Sequence, residues 1–146
     1  MELAGERIGD MRAHPTPEHV ANLDLSVLAS RRYSRSKARY LIDAAQAVAG
    51  GKLNIENLGQ GSAIAAEKAL VAQRGVGTWT ARYVLMRGGF ADAAPVGDSA
   101  LATALQRLHG LPERPDADQT ARLMSAFAPH RSLATMHLWT YLKEAA

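Results

Sequence analysis

The sequence predicts an all-α domain, on three observations. Nearly half of the 146 residues are hydrophobic (47%), and alanine, the strongest helix former, supplies much of that share. No stretch alternates apolar with polar side chains as a half-buried strand does. Capping residues, glycines and prolines recur along the chain at the places where helices start and stop.

Residues 1–15 are weakly patterned and read as a loose lead-in to a domain over 16–146. Thr16-Pro17-Glu18 opens a short helix to 23, with a hydroxyl to cap, proline at the first helical position and an acid in the first turn. A second turn covers 25–30. Arg31, Arg32, Arg35, Lys37 and Arg39 crowd the start of a helix over 34–49. Its apolar face is Tyr40, Leu41, Ala44, Ala45 and Val48, and Gly50-Gly51 ends it. Residues 54–61 are a loop of turn residues. A helix over 62–73 then meets the tight turn Arg74-Gly75-Val76-Gly77, and a second helix runs over 78–87. Residues 88–97 form a loop. Asp98 opens a helix to 108, closed by Gly110 and Pro112. Asp116 and Gln119 have capping-box spacing and open a helix to 127. Pro129 breaks the chain before a last helix over 130–144.

Composition removes several chemistries. The absence of cysteine excludes disulfides, thiolate zinc sites and Cys-ligated iron–sulfur clusters. No apolar run is long enough to span a membrane. Met1 is followed by Glu2 and Glu6 rather than a basic stretch and an apolar run, so no signal peptide is read there. His130 and His137 lie seven apart with no third ligand at a suitable spacing, so neither a metal nor another cofactor is expected. The net charge of +3 permits a polyanionic partner without proving one.

The helix–turn–helix around Gly75-Val76-Gly77 is the most informative stretch. Glycine accepts a positive φ and lets a backbone approach another group closely. Thr78 can cap the second helix, whose free N–H groups suit an anion such as a DNA phosphate. Val76 plugs the turn into the core. A plain αα-turn eased by two glycines is the other reading. Trp79 and Tyr83 sit four apart and share a helix face, as core aromatics also do. Asp98 after a glycine is an ordinary N-cap. The basic residues between Arg31 and Arg39 read as solvated surface, with phosphate contact the alternative. Arg131 reads as half of a structural ion pair.

Three separated motifs carry a family resemblance. Gly75-Val76-Gly77-Thr78-Trp79-Thr80-Ala81-Arg82-Tyr83 resembles the hairpin and following helix of the helix-hairpin-helix DNA glycosylase superfamily, and within it the bacterial type II 3-methyladenine branch. Pro95-Val96-Gly97-Asp98 resembles the loop that delivers the family's catalytic aspartate to a helix start. Pro129-His130-Arg131-Ser132 and His137-Leu138-Trp139 resemble the last helix of the type II enzymes. The resemblance runs from about Pro15 to Trp139. One departure is Arg74, where the family usually has proline. Another is length: the family's first core helices, and the wedge that fills the gap left by a flipped base, are expected upstream of residue 1.

The resemblance implies a base-excision enzyme acting on double-stranded DNA with alkylated bases, in the cytoplasm at the nucleoid. Asp98 is then the catalytic carboxylate, which stabilises positive charge on the sugar as the glycosidic bond breaks. Trp79, Tyr83 and Trp139 line the base pocket, and Arg74, Gly75, Gly77 and Thr78 hold the DNA backbone. In the family's bifunctional members a lysine stands at the position of Trp79 and forms a Schiff base with the sugar. Its absence implies a monofunctional glycosylase. A non-catalytic DNA-binding module, or an inactive piece of such an enzyme, is the competing expectation.

Overall fold

The computed structural model describes residues 5–144, which form nine helices and one two-stranded hairpin. The hairpin pairs β1 (Arg7–Ile8) with β2 (Met11–Arg12) around Gly9, whose φ is +61°. The sequence reading expected a loose lead-in here. Two-residue strands are too short to show an alternation, so only the glycine could have marked the turn.

The helices are α1 (Pro17–Ala21), α2 (Leu25–Ala29), α3 (Arg35–Ala49), α4 (Ile55–Leu58), α5 (Ala63–Val71), α6 (Thr78–Arg87), α7 (Ser99–His109), α8 (Ala117–Ser125) and α9 (Arg131–Glu144). Their starts follow the chemistry of their caps. Thr16, Ser34, Ser62 and Asp98 each accept a backbone N–H at the head of α1, α3, α5 and α7. Asp116 and Gln119 form the reciprocal capping box of α8. Gly110 closes α7 in the left-handed region at φ +60°. The short helix α4 replaces the expected loop: Asn54 caps it by accepting the amide of Asn57. One turn of helix leaves no periodicity to read.

Three apolar clusters hold these elements together. In one, α2 packs on α3 through Leu28, Ala38 and Ile42, with Leu23 and Leu25 at the edge, and α1 also lies against α3. The buried face of α3 is Ala38, Ile42 and Ala45, whereas Leu41 is exposed. The expected face was thus rotated by one residue at its centre, because the run from Tyr40 to Ile42 offers three apolar choices. A second cluster joins α5 to α6 through Ala66, Leu70, Ala81, Leu85 and Met86. The third joins α7, α8 and α9 through Leu101, Leu105, Met124 and Leu138. Leu101, Leu105 and Met124 are fully buried there, and each such side chain contributes about 1.5–3 kcal/mol. The segment from Gly88 to Asp98 connects these last two clusters and carries Ala93 into one and Ala94 into the other.

No helix among the described residues is long and apolar enough to cross a membrane.

Candidate active site

The turn between α5 and α6 is tight because Gly75 takes φ +87° and lies against Tyr40 of α3. A Cβ at Gly75 would fall 2.2 Å from Tyr40 Cδ2 and 2.7 Å from its Cβ. The Arg74 guanidinium stands 5.6 Å from the centroid of the same ring, at cation–π distance. Val76 packs against the α5–α6 cluster, as expected of a plug. The N-cap of α6 is Gly77, with no side chain bonded to the helix start, and Thr78 is the first helical residue. The expectation that Thr78 caps this helix is therefore corrected. A glycine in the capping position leaves the first N–H groups of α6 without an intramolecular side-chain acceptor, which is the arrangement an external anion needs.

Asp98 caps α7 and does more than cap it. Its Oδ1 accepts the Leu101 amide at 2.8 Å and the Trp139 indole N–H at 3.0 Å. Its Oδ2 accepts the Trp79 indole N–H at 3.3 Å. Among the described residues no cation pairs with this carboxylate. Three N–H dipoles thus hold a negative charge in place without cancelling it, which leaves it available to a positive charge brought alongside.

The aromatic rings around Asp98 form one continuous group. Trp79 and Tyr83 stack with centroids 5.5 Å apart and planes 20° apart, and Tyr83 meets Trp139 at 6.1 Å and 37°. Trp79 and Tyr83 are 43% and 36% exposed, so they are surface rings rather than core fillers. Trp139 is half-buried and packs against the α5–α6 cluster while its N–H reaches Asp98. Sequence-distant positions 79, 83, 98 and 139 therefore meet in one place, beside the turn that contains Gly75 and Gly77. Tyr40, read from the sequence only as part of an apolar face, is the residue that seats this turn.

The loop that delivers Asp98 is tied to the start of α9. Arg131 donates to both oxygens of Asp92, at 2.6 and 2.7 Å. This holds the Asp92 carboxyl below the usual carboxylate range, through the hydrogen bonds first and charge second. The structural ion pair expected of Arg131 is present. Ser132 Oγ accepts the Ala93 amide at 3.0 Å, its hydroxyl is shared between the carbonyls of Phe90 and Ala93, and its own amide donates to the Ala91 carbonyl. The polar run Arg131-Ser132 is thus a clasp for the loop that carries Asp98. Arg35, Lys37 and Arg39 are exposed along α3.

Two other features lie apart from this group. An apolar groove of about 640 Å³ between the end of α7 and the outer side of α9 is lined by Leu108, Phe127, Leu133 and Tyr141 and shares no residue with it. Among the described residues no cluster of three His, Asp or Glu side chains is placed to hold a metal ion.

With that geometry in view, comparison with known proteins gives a consistent result. The model of the HhH-GPD superfamily base excision DNA repair proteins matches residues 4–130. DNA-3-methyladenine glycosylase of Bacillus subtilis is 34% identical over 129 residues, covering 88% of this chain and 43% of the relative. DNA-3-methyladenine glycosylase 2 of Escherichia coli is 31% identical over 141 residues, covering 94% and 47%. Among solved structures, the 3-methyladenine DNA glycosylase of Schizosaccharomyces pombe in complex with abasic DNA superimposes with a TM-score of 0.82 at 26% identity, covering 88% of this chain and 64% of that one. The chain spans about half the length of the curated relatives it matches.

Proposed function

We propose that this chain, which belongs to the HhH-GPD superfamily of base excision DNA repair proteins, releases alkylated purines such as 3-methyladenine from double-stranded DNA by hydrolysing the N-glycosidic bond. The observation that carries the reading is the un-neutralised Asp98 carboxylate set among three aromatic rings and beside the Gly75–Gly77 turn. Two relatives named as 3-methyladenine glycosylases, each more than 30% identical, support the substrate class.

Each residue group has a task in this reaction. Gly75, Gly77 and Thr78 offer backbone to a phosphate at the head of α6, and Arg74 adds a cation beside it. Such contacts fix the register of the duplex and carry no sequence information. The lesion leaves the base stack and lies against Trp79, Tyr83 and Trp139, whose electron-rich faces favour a cationic base. As the bond between base and sugar lengthens, positive charge grows on the deoxyribose. The Asp98 carboxylate stabilises that charge and orients the attacking water. An alkylated purine already carries positive charge, so it departs without a second, acidic carboxyl. Trp79 supplies no amine, so the reaction stops at the abasic site. Action at the nucleoid, in the cytoplasm, goes with this reading.

The test is release of 3-methyladenine and 7-methylguanine from methylated DNA by the wild type and by Asp98→Asn. Release by the first alone is expected. Equal release by both would remove Asp98 from the mechanism, and release by neither, with DNA binding intact, would favour a binding module. Borohydride treatment during turnover is expected to trap no covalent DNA complex; trapping one would contradict the monofunctional assignment.

A further inference from the structure

The three donors on Asp98 are divided unequally between its oxygens. Oδ1 accepts two hydrogen bonds, from the Leu101 amide and the Trp139 indole, and Oδ2 accepts one, the longer bond from Trp79. A carboxylate oxygen offers about two lone-pair sites. Oδ1 is therefore full, and Oδ2 keeps one site open.

We infer that Oδ2 is the oxygen that meets the sugar, and that Trp139 is a positioning residue which aims it through the indole N–H. This role is separate from any stacking by the Trp139 ring, and it rests on the proposed catalytic reading of Asp98. The capping bond alone ties Oδ1 to the head of α7 but lets the carboxylate plane swing about that point. The bond from Trp139 supplies a second anchor, 41 residues away on α9. That anchor is itself firm: the indole packs against the α5–α6 cluster, and α9 begins at the Arg131–Asp92 and Ser132 clasp. Trp79 is the weaker partner. Its bond is 0.3 Å longer (3.3 against 3.0 Å), and the residue is 43% exposed. Fixing Oδ1 and leaving Oδ2 lightly held places one open lone pair in a set direction, and misplacing a reacting group costs rate rather than binding.

Two measurements test this. In kinetics on methylated DNA, Trp139→Phe keeps a ring and loses the donor. It is expected to lower kcat about tenfold to a hundredfold, as loss of a charge-assisted hydrogen bond does, with KM changed less than about twofold. Trp79→Phe is expected to lower kcat less than about threefold, and Trp139→Ala to raise KM as well. Wild-type kcat in Trp139→Phe, with Asp98→Asn inert, would overturn the positioning role and spare the catalytic one. Inertness of the wild type, or full activity of Asp98→Asn, would remove both. The second measurement needs no turnover. The chain has two tryptophans and hence two indole N–H resonances in a nitrogen–proton spectrum. Asp98→Ala is expected to move both and to speed solvent exchange of the Trp139 signal more than that of Trp79. A Trp139 signal that stays in place would overturn the inference, whatever the kinetics give.

Discussion

Replacing Gly75 by alanine probes the hairpin at its closest approach to the rest of the fold. The new Cβ would stand 2.2 and 2.3 Å from Tyr40 Cδ2 and Cγ and 2.7 Å from Tyr40 Cβ. Turning the ring clears the first two contacts but not the third, so the turn or α3 must shift. Holding a non-glycine residue at φ +87° costs about 1–3 kcal/mol, and overpacking a fitted contact costs about 1–3 kcal/mol more. Displacing the Tyr40 ring also loses the Arg74 contact, worth about 0.5–1 kcal/mol at an exposed site. These effects overlap, and a net loss of about 3 kcal/mol is expected, or roughly 6–12 °C in Tm for a chain of this size. Chemical denaturation of wild type, Gly75→Ala, Tyr40→Ala and the double variant measures it. Tyr40→Ala removes Cγ and Cδ2 but keeps Cβ, so the cycle should show a favourable coupling of about 1–2 kcal/mol, within the range for touching residues. A Gly75→Ala loss below about 0.5 kcal/mol, or additivity in the double variant, would refute the packing of the turn on α3.

Other perturbations separate the roles assigned above. Asparagine caps a helix as well as aspartate does, so Asp98→Asn should shift Tm by under about 2 °C while abolishing base release; a large loss of stability would mean that the carboxylate is mainly structural. Arg74→Ala should weaken DNA binding alike on all sequences and lower the slope of log K against log salt by about one, measured by fluorescence anisotropy from 50 to 200 mM salt as the order of range needed. Asp92→Asn should cost about 1 kcal/mol at neutral pH, the value of a half-exposed bidentate pair. Because Arg131 lowers the folded-state pKa of Asp92, the pair stabilises the fold above about pH 4 and the gain disappears as pH falls further. Denaturation at pH 7 and pH 2.5 should thus show a smaller wild-type advantage at the lower pH.

What could be read from the chain followed the range of the interactions concerned. Caps act within three residues, so Thr16, Ser34, Ser62, Asp98 and the Asp116–Gln119 pair marked helix starts to within a residue or so. Elements shorter than the period that reveals them left no trace: the strands at Arg7–Ile8 and Met11–Arg12, and the single turn Ile55–Leu58. Gly77 shows a different failure. A hydroxyl at Thr78 was the better local cap, yet the chain uses glycine there and leaves the helix head open. Local propensity has no term for a partner outside the molecule, and the local reading fails at the backbone groups proposed to meet a phosphate.

The site itself depends on contacts that span 19 and 41 residues, from Trp79 and Trp139 to Asp98. Spacing alone cannot bring such positions together; the likeness to glycosylases indicated that they belong together, and the coordinates supply the bonds. Asp98 as a cap and Asp98 as the proposed reactive group are therefore not rival descriptions. The Leu101 amide that closes α7 also occupies one site on Oδ1, and the Trp139 indole occupies the other. Stabilising the helix is therefore the first step in aiming the carboxylate. If so, removing the Trp139 donor should cost catalysis far more than stability, because the cap survives it, whereas removing the Asp98 side chain should cost both.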